Sequence, residues 1–226
     1  MTILYSNGCS YTANFDLLRQ DRYPIILAER LGWEVQDRAE PGSCNARIIR
    51  TTIEDCIKLK DDHTDIVALV QLTHLYRTEY CDNSTFINVK PNLIQNNLLA
   101  TQYSTLFCKL NSEVSLLTNL YVQILGLAAF LKQQNIKYLI YFGQQEVAIN
   151  LTIDTRLYQS IAIDSNVLSL IDFSVLGSIL GQSPHNLPVH PDRGDMKLIA
   201  DYFYNLLDTS YQRDGTALTA LCCNLS

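Results

Sequence analysis

The sequence predicts an α/β fold, a three-layer α/β/α sandwich around a central, mostly parallel sheet of about five strands. Three observations carry that expectation. Residues 65–72 (DIVALVQL) form a β-branched and apolar run with no charge after Asp65, the pattern of a strand buried on both faces. Residues 136–142 (IKYLIYF) form a second such run and follow directly on a long apolar helix spanning 114–134. Strands alternating with helices at this spacing imply βαβ units, and hence parallel pairing.

Residues 2–6 are a short apolar run ending in Asn7-Gly8, which reads as the first buried strand and a turn. Residues 23–31 carry Ile26, Leu27 and Leu31 on a helical pattern that stops at Gly32. Residues 34–38 sit where a second strand belongs. Pro41-Gly42-Ser43 breaks the chain, with Ser43 as a candidate N-cap, and Ala46, Ile49, Ile53 and Ile57 then mark one helical face. The third strand is 65–72.

Residues 80–112 are polar, Asn-rich and weakly periodic, and read as an insertion or lid, whereas 144–185 carry no legible pattern. After His190-Pro191, Met196, Ile199, Ala200, Phe203, Leu206 and Leu207 trace a last helix, and 209–226 read as a C-terminal tail. Neither an internal repeat nor a Pro/Gly/Ser-rich linker divides the chain, so residues 1–226 are expected to form one domain.

The 226 residues are 47% hydrophobic and 18% charged, enough for a sizeable core. A formal charge of −6 without any Lys/Arg cluster argues against nucleic acid as a partner. The start MTILYSNGCSYT has no basic and apolar leader, and the most apolar stretch, 124–131, fits a buried helix, so no membrane association is expected. Seven cysteines without CxxC spacing suggest reduced thiols in a cytoplasmic protein, with no metal and no cofactor.

In a parallel sheet, ligands bind beyond the carboxyl ends of the strands. Four segments fall at such positions: Gly8-Cys9-Ser10-Tyr11-Thr12, Pro41-Gly42-Ser43-Cys44-Asn45, Gln71-Leu72-Thr73, and His190-Pro191. Together they offer a hydroxyl nucleophile, backbone donors, a polar side-chain donor and an imidazole, the set acyl transfer needs. Singly, each has an ordinary explanation: a strand-end turn, the start of a helix, a self-satisfied threonine, a loop histidine.

In order and placement, the four segments resemble the SGNH (GDSL-like) hydrolases, a family named for a Ser, Gly, Asn and His in four blocks. GCSYT, PGSCNARIIR, QLTHLYRTE and LPVHPDRGDMKLIA are most similar to a branch of bacterial and phage proteins. The resemblance implies the flavodoxin-like SGNH fold and an ester hydrolase acting through a Ser10 acyl-enzyme, with His190 as general base. It implies oxyanion donors from the N–H groups of Ser10 and Gly42. Thr73 stands where the family has its Asn, with Asn45 as the alternative donor. Cys9 replaces the family's Asp.

The orienting acid is expected three residues before the histidine, where this chain has Leu187. A Ser10–His190 dyad held by a backbone carbonyl, a substitute carboxylate such as Glu79 or Glu40, and an impaired site all remain open. Tyr11, beside the nucleophile, is a candidate for the acyl pocket. Arg77 and Glu79 either pair with each other in solvent or, in Arg77's case, bind an anionic substrate group. The expected substrate is a small-molecule or carbohydrate-linked ester. The same residues would serve an acyltransferase, and the same fold a non-catalytic binding module. The sequence carries no signal for an oligomeric state.

Overall fold

The computed structural model describes residues 1–63, 65–82, 85–89, 98–143, 160, 167–168 and 190–212. Five strands, β1 (Ile3–Asn7), β2 (Glu34–Asp37), β3 (Ile66–Leu72), β6 (Lys137–Phe142) and β7 (Val167–Leu168), make the central sheet. Their order is β2-β1-β3-β6-β7 and every pairing is parallel. Counted within the sheet this is the 2-1-3-4-5 order of doubly wound flavodoxin-like domains. The chain winds one way from β1 to β2 and the other way to β3, so the switch point lies between the carboxyl ends of β1 and β3.

Alternation along β3 sends side chains to two cores. Ile66, Ala68, Val70 and Leu72 pack under α2 (Asn45–Asp62) and α4 (Glu113–Gln133). Val67 and Leu69 face α1 (Tyr23–Leu31) and α5 (Arg193–Gln212), where Leu27, Met196, Ile199 and Phe203 close the second core. The expected three layers are present. Fully buried α4 residues such as Leu117, Ile124, Leu127 and Leu131 each contribute about 1.5–3 kcal/mol of apolar burial.

By length and composition α4 would also qualify as a membrane span. Its Leu116, Leu117, Leu120, Ile124, Leu127 and Leu131 lie instead against the sheet. It is a core helix.

Three boundaries differ from the sequence reading. The inward face of α2 is Ile48, Ile49, Thr52, Cys56 and Leu59, whereas Ile57 is 51% exposed. Thr51, Thr52 and Asp55 are buried because Asn7, Tyr5 and Arg38 need them as hydrogen-bond partners, so polar residues occupy turns that a hydrophobic pattern assigns to solvent. The α2 N-cap is Cys44, whose Sγ accepts from the Arg47 N–H, while the Ser43 hydroxyl donates to the Glu40 carbonyl.

The third difference is at the end of the last helix. α5 continues to Gln212, five residues beyond its apolar stripe and into the expected tail. At its start Asp192 accepts from the N–H groups of Gly194 and Asp195, while Asp195 accepts from the Asp192 N–H, a reciprocal capping box.

The 80–112 region is more ordered in pattern than its composition suggests. β4 (Thr78–Asp82) and β5 (Thr85–Val89) form a separate antiparallel pair, followed by α3 (Leu98–Leu110). Arg50 of α2 docks the hairpin, pairing with Glu79 and lying 3.7 Å over the Phe86 ring.

Candidate functional site

β1 ends in Asn7, whose buried amide fixes the strand end to α2. Its Nδ2 lies 3.0 Å from the Ile48 carbonyl and 2.8 Å from the Thr51 hydroxyl, and its Oδ1 accepts from the Gly8 N–H at 2.9 Å. The chain then makes one helical turn, with the N–H groups of Thr12 and Ala13 both donating to the Cys9 carbonyl. Ser10 stands in the first position of that turn, 7% exposed. First-turn N–H groups have no partner within the turn. Among the described residues nothing accepts from the Ser10 N–H.

Beneath the turn lies Gln71, fully buried near the end of β3. Its Oε1 accepts from the Cys9 N–H at 3.4 Å and from the Thr12 hydroxyl. Thr12 in turn accepts from Tyr23, and Tyr23 from Tyr141, so a directed ladder of hydroxyls runs from the core to the turn. Burial holds both tyrosines well above the ordinary phenol range, keeping them as donors.

Room for Gln71 comes from Gly143: a Cβ there would lie 1.6 Å from Gln71 Nε2. The Cys9 thiol, fully buried, lies 3.8 Å from Gln71 Oε1.

The second block is a type II turn. The Ser43 N–H donates to the Glu40 carbonyl at 3.1 Å, with Pro41 and Gly42 at its centre and Gly42 at φ 84°, in the left-handed region that favours glycine. The Glu40 N–H donates to the Gly8 carbonyl, lashing this turn to the Ser10 turn. The Gly42 N–H also has no acceptor among the described residues. An N–H without a partner is uncommon in a buried residue, and among the described residues the N–H groups of Ser10 and Gly42, on adjoining turns, find no acceptor.

The third block is clamped by Asn45. Its Nδ2 donates to the Thr73 carbonyl at 2.9 Å and its Oδ1 accepts from the Thr73 N–H at 2.7 Å. The amide expected as an alternative oxyanion donor is therefore occupied with Thr73's backbone, and only one of its two N–H hydrogens is left. The Thr73 hydroxyl accepts from Arg77 Nη1 at 3.0 Å, which leaves its own proton to donate and strengthens it as a donor.

Arg77 and Glu79 are not partners. A turn in which the Arg77 N–H donates to the His74 carbonyl breaks the extended run on which an i, i+2 pairing would depend. Glu79 receives two hydrogen bonds from Arg50 instead, at 3.2 and 3.0 Å.

His190 is half-buried, and two contacts tie its segment to the Ser10 loop. The ring centroid of Tyr11 is 6.0 Å from that of His190, tilted by 53°. Asn14, 3% exposed, donates to the Pro191 carbonyl at 2.9 Å. Tyr11, a candidate for the acyl pocket, is only 5% exposed and packs against the imidazole.

Ser10, Gly42, Thr73 and His190 all follow or flank the sheet's carboxyl end, yet no hydrogen bond joins Ser10 to His190. Catalytic contacts are often long before substrate binds. Leu187 lies outside the described residues.

Among the described carboxylates, those proposed or adjacent are engaged elsewhere. Glu40 pairs with Arg47, Glu79 with Arg50, and Asp192 and Asp195 cap α5. No group of three or more His, Cys, Asp or Glu residues among the described ones could hold a metal. Burial pushes the Cys44 thiol up to about 11 and the Cys56 thiol up to about 12, marking both as structural.

Three functional candidates escaped the sequence reading. Asn7 was legible only as half of an Asn-Gly turn. Gln71 was visible as a polar residue inside an otherwise apolar strand end, and Asn14 carried no pattern signal.

In fold, the doubly wound parallel sheet is similar to solved structures of lipolytic esterases. The chain is similar to the psychrotrophic esterase EstA of Pseudoalteromonas, inhibited there by monoethylphosphonate. The TM-score is 0.53 at 14% identity, over 94% of this chain and 99% of that one. A G-D-S-L family lipolytic protein of Desulfitobacterium hafniense aligns with TM-score 0.51 at 10% identity, over 90% and 98% of the two chains. TesA aligns with TM-score 0.50 at 12% identity, over 93% and 98%. No protein-family model matches the sequence, and no curated protein matches it significantly.

Proposed function

We propose that the chain is a serine ester hydrolase acting on small esters through an acyl-enzyme at Ser10. Ser10 Oγ attacks the ester carbonyl carbon while His190 takes its proton. The oxyanion that forms accepts hydrogen bonds from the N–H groups of Ser10 and Gly42 and from the Thr73 hydroxyl. The bond to the leaving oxygen then breaks, and His190 returns the proton to the departing alcohol. Water, deprotonated by His190, hydrolyses the acyl-Ser10 and restores the hydroxyl. Each oxyanion donor of this kind contributes about 3 kcal/mol to the transition state.

The observation that supports the reading is the pair of contacts, Asn14 to the Pro191 carbonyl and Tyr11 to the His190 ring, that holds the imidazole segment against the serine loop. Hydrolysis of an activated acetyl ester tests it. His190→Ala should lower kcat about 100-fold or more, and Ser10→Ala should reduce turnover to background. Wild-type turnover no faster than Ser10→Ala would overturn it.

One observation favours a second reading, a non-catalytic binding module of the same fold: among the described residues, Glu40, Glu79 and Asp195, carboxylates that could orient His190, are committed elsewhere. The hydrolase form of the proposal therefore expects a Ser–His dyad slower than a full triad.

A further inference from the structure

Beside the Thr73–Asn45 clamp, on the α4 side, opens a cleft of about 140 Å³. Arg77, Asn45, Asn111, Asn119 and Gln123 supply its polar wall, and Phe107, Leu116 and Leu120 its apolar one. Asn119 and Gln123 stand four residues apart on α4, so both side chains project from one helical face. The Asn111 amide donates to the Phe107 carbonyl at 2.9 Å and lines the cleft.

Arg77 spends one of its five N–H donors on Thr73, and among the described residues no carboxylate pairs with it. The acidic side chains nearby in sequence or on the facing helix are committed: Glu79 to Arg50, and Glu113 to the Tyr76 hydroxyl at 2.9 Å. The N-terminal end of the 18-residue α2, through Asn45 and Ala46, forms another part of the wall and adds its positive dipole end. A guanidinium fork with free donors, beside amides and a helix N-terminus, suits an oxyanion that accepts two parallel N–H bonds, a carboxylate or a phosphate.

We infer that this cleft is the recognition subsite of the same ester substrate, and that it binds a carboxylate or phosphate group carried on a short polar stem. The inference rests on the hydrolase reading for the word substrate, but not for the binding of an anion. The volume equals about four or five waters, so it admits a group of a few heavy atoms and excludes a long fatty chain. Arg77 touches both the subsite and the Thr73 hydroxyl, which links recognition of the anion to the oxyanion donor.

The test uses the full-length protein and Arg77→Met, Arg77→Lys and Gln123→Ala. Binding of succinate and of inorganic phosphate is measured by calorimetry, with far-UV circular dichroism as the control for folding. Hydrolysis of a matched pair, a neutral butyryl ester and the corresponding succinyl ester of the same phenol, is measured alongside.

Wild type should bind at least one of the two anions, which separates the carboxylate source from the phosphate source. Arg77→Met should weaken that binding about tenfold or more, the loss of roughly 1.4 kcal/mol. Arg77→Lys should recover part of it, and Gln123→Ala should show a smaller loss. The kcat/KM ratio of succinyl to butyryl ester should fall by a similar factor in Arg77→Met. Equal losses on both esters would mean that Arg77 only supports Thr73, and would overturn the subsite. Folded wild type that binds neither anion would overturn it too. Anion binding with no hydrolysis of either ester would instead remove the hydrolase reading and leave the anion site standing.

Discussion

Asn14→Ala separates the support of the imidazole from the folding of the domain. The side chain makes two hydrogen bonds, donating to the Pro191 carbonyl at 2.9 Å and accepting from the Asp16 N–H at 3.0 Å. Each is worth about 1 kcal/mol net, and truncation leaves the buried Pro191 carbonyl unpaired. A loss of about 2 kcal/mol in total follows, or roughly 4–8 °C in Tm for a chain of this size.

The effect on chemistry should be larger than stability accounts for. With the tether gone, the Tyr11 ring contact still holds His190 toward the serine loop, but a displacement of about 1 Å can cost about 100-fold in rate. The assay is the rate of labelling by a fluorophosphonate, measured well below the variant's Tm, against urea unfolding of the same preparation. Labelling that stays within about twofold of wild type while stability falls would show that Asn14 is structural only, and would refute the positioning of His190 through Pro191.

Two further outcomes follow from the buried polar groups. Gly143→Ala forces Gln71 to swing out of contact with Cys9 and Thr12, so it should destabilise by about 1–3 kcal/mol and slow labelling. Adding Gln71→Ala should remove most of the extra cost, whereas strict additivity in the double-mutant cycle would contradict the contact.

Tyr5, Tyr23 and Tyr141 have pKa values raised, first of all by burial. Their protonated forms are favoured in the fold, so their contribution is intact below the ordinary tyrosine value near 10 and is lost as pH rises above it. The three together should steepen alkaline unfolding by up to about 4 kcal/mol per pH unit. Tyr23→Phe should remove about a third of that slope, and an unchanged slope, read from unfolding titrations against pH, would contradict the ladder.

How much of this the sequence carried depends on where each residue's partner lies. β3 and β6 were legible because both faces are covered, which makes nearly every position apolar, Gln71 and the exposed Lys137 excepted. The stripe of α5 was legible because Met196, Ile199, Ala200 and Phe203 all meet one core. The phase of α2 was not, since Thr51, Thr52 and Asp55 are buried to satisfy Asn7, Tyr5 and Arg38, partners 17 to 50 residues away.

The same holds at the site. Ser10, Gly42, Thr73 and His190 stand at element ends, where position alone draws attention. Gln71 and Asn14 act through contacts that span 59 and 177 residues, which no local pattern encodes. Spacing could not decide between an Arg77–Glu79 pair and an anion-binding Arg77, because the turn at His74–Arg77 is invisible to it. Asn45 looked like a free donor because its clamp partner, the Thr73 backbone, lies across the sheet's end.

The central claim is that Ser10 becomes acylated with His190 as its base, and intact-mass measurement after treatment with a fluorophosphonate tests it most directly. The account predicts one adduct on the wild-type chain, mapped to the Ser10 peptide, absent from Ser10→Ala and formed at least about 100 times more slowly in His190→Ala. An adduct that persists in Ser10→Ala, or a folded wild-type chain that takes up no probe, would contradict it.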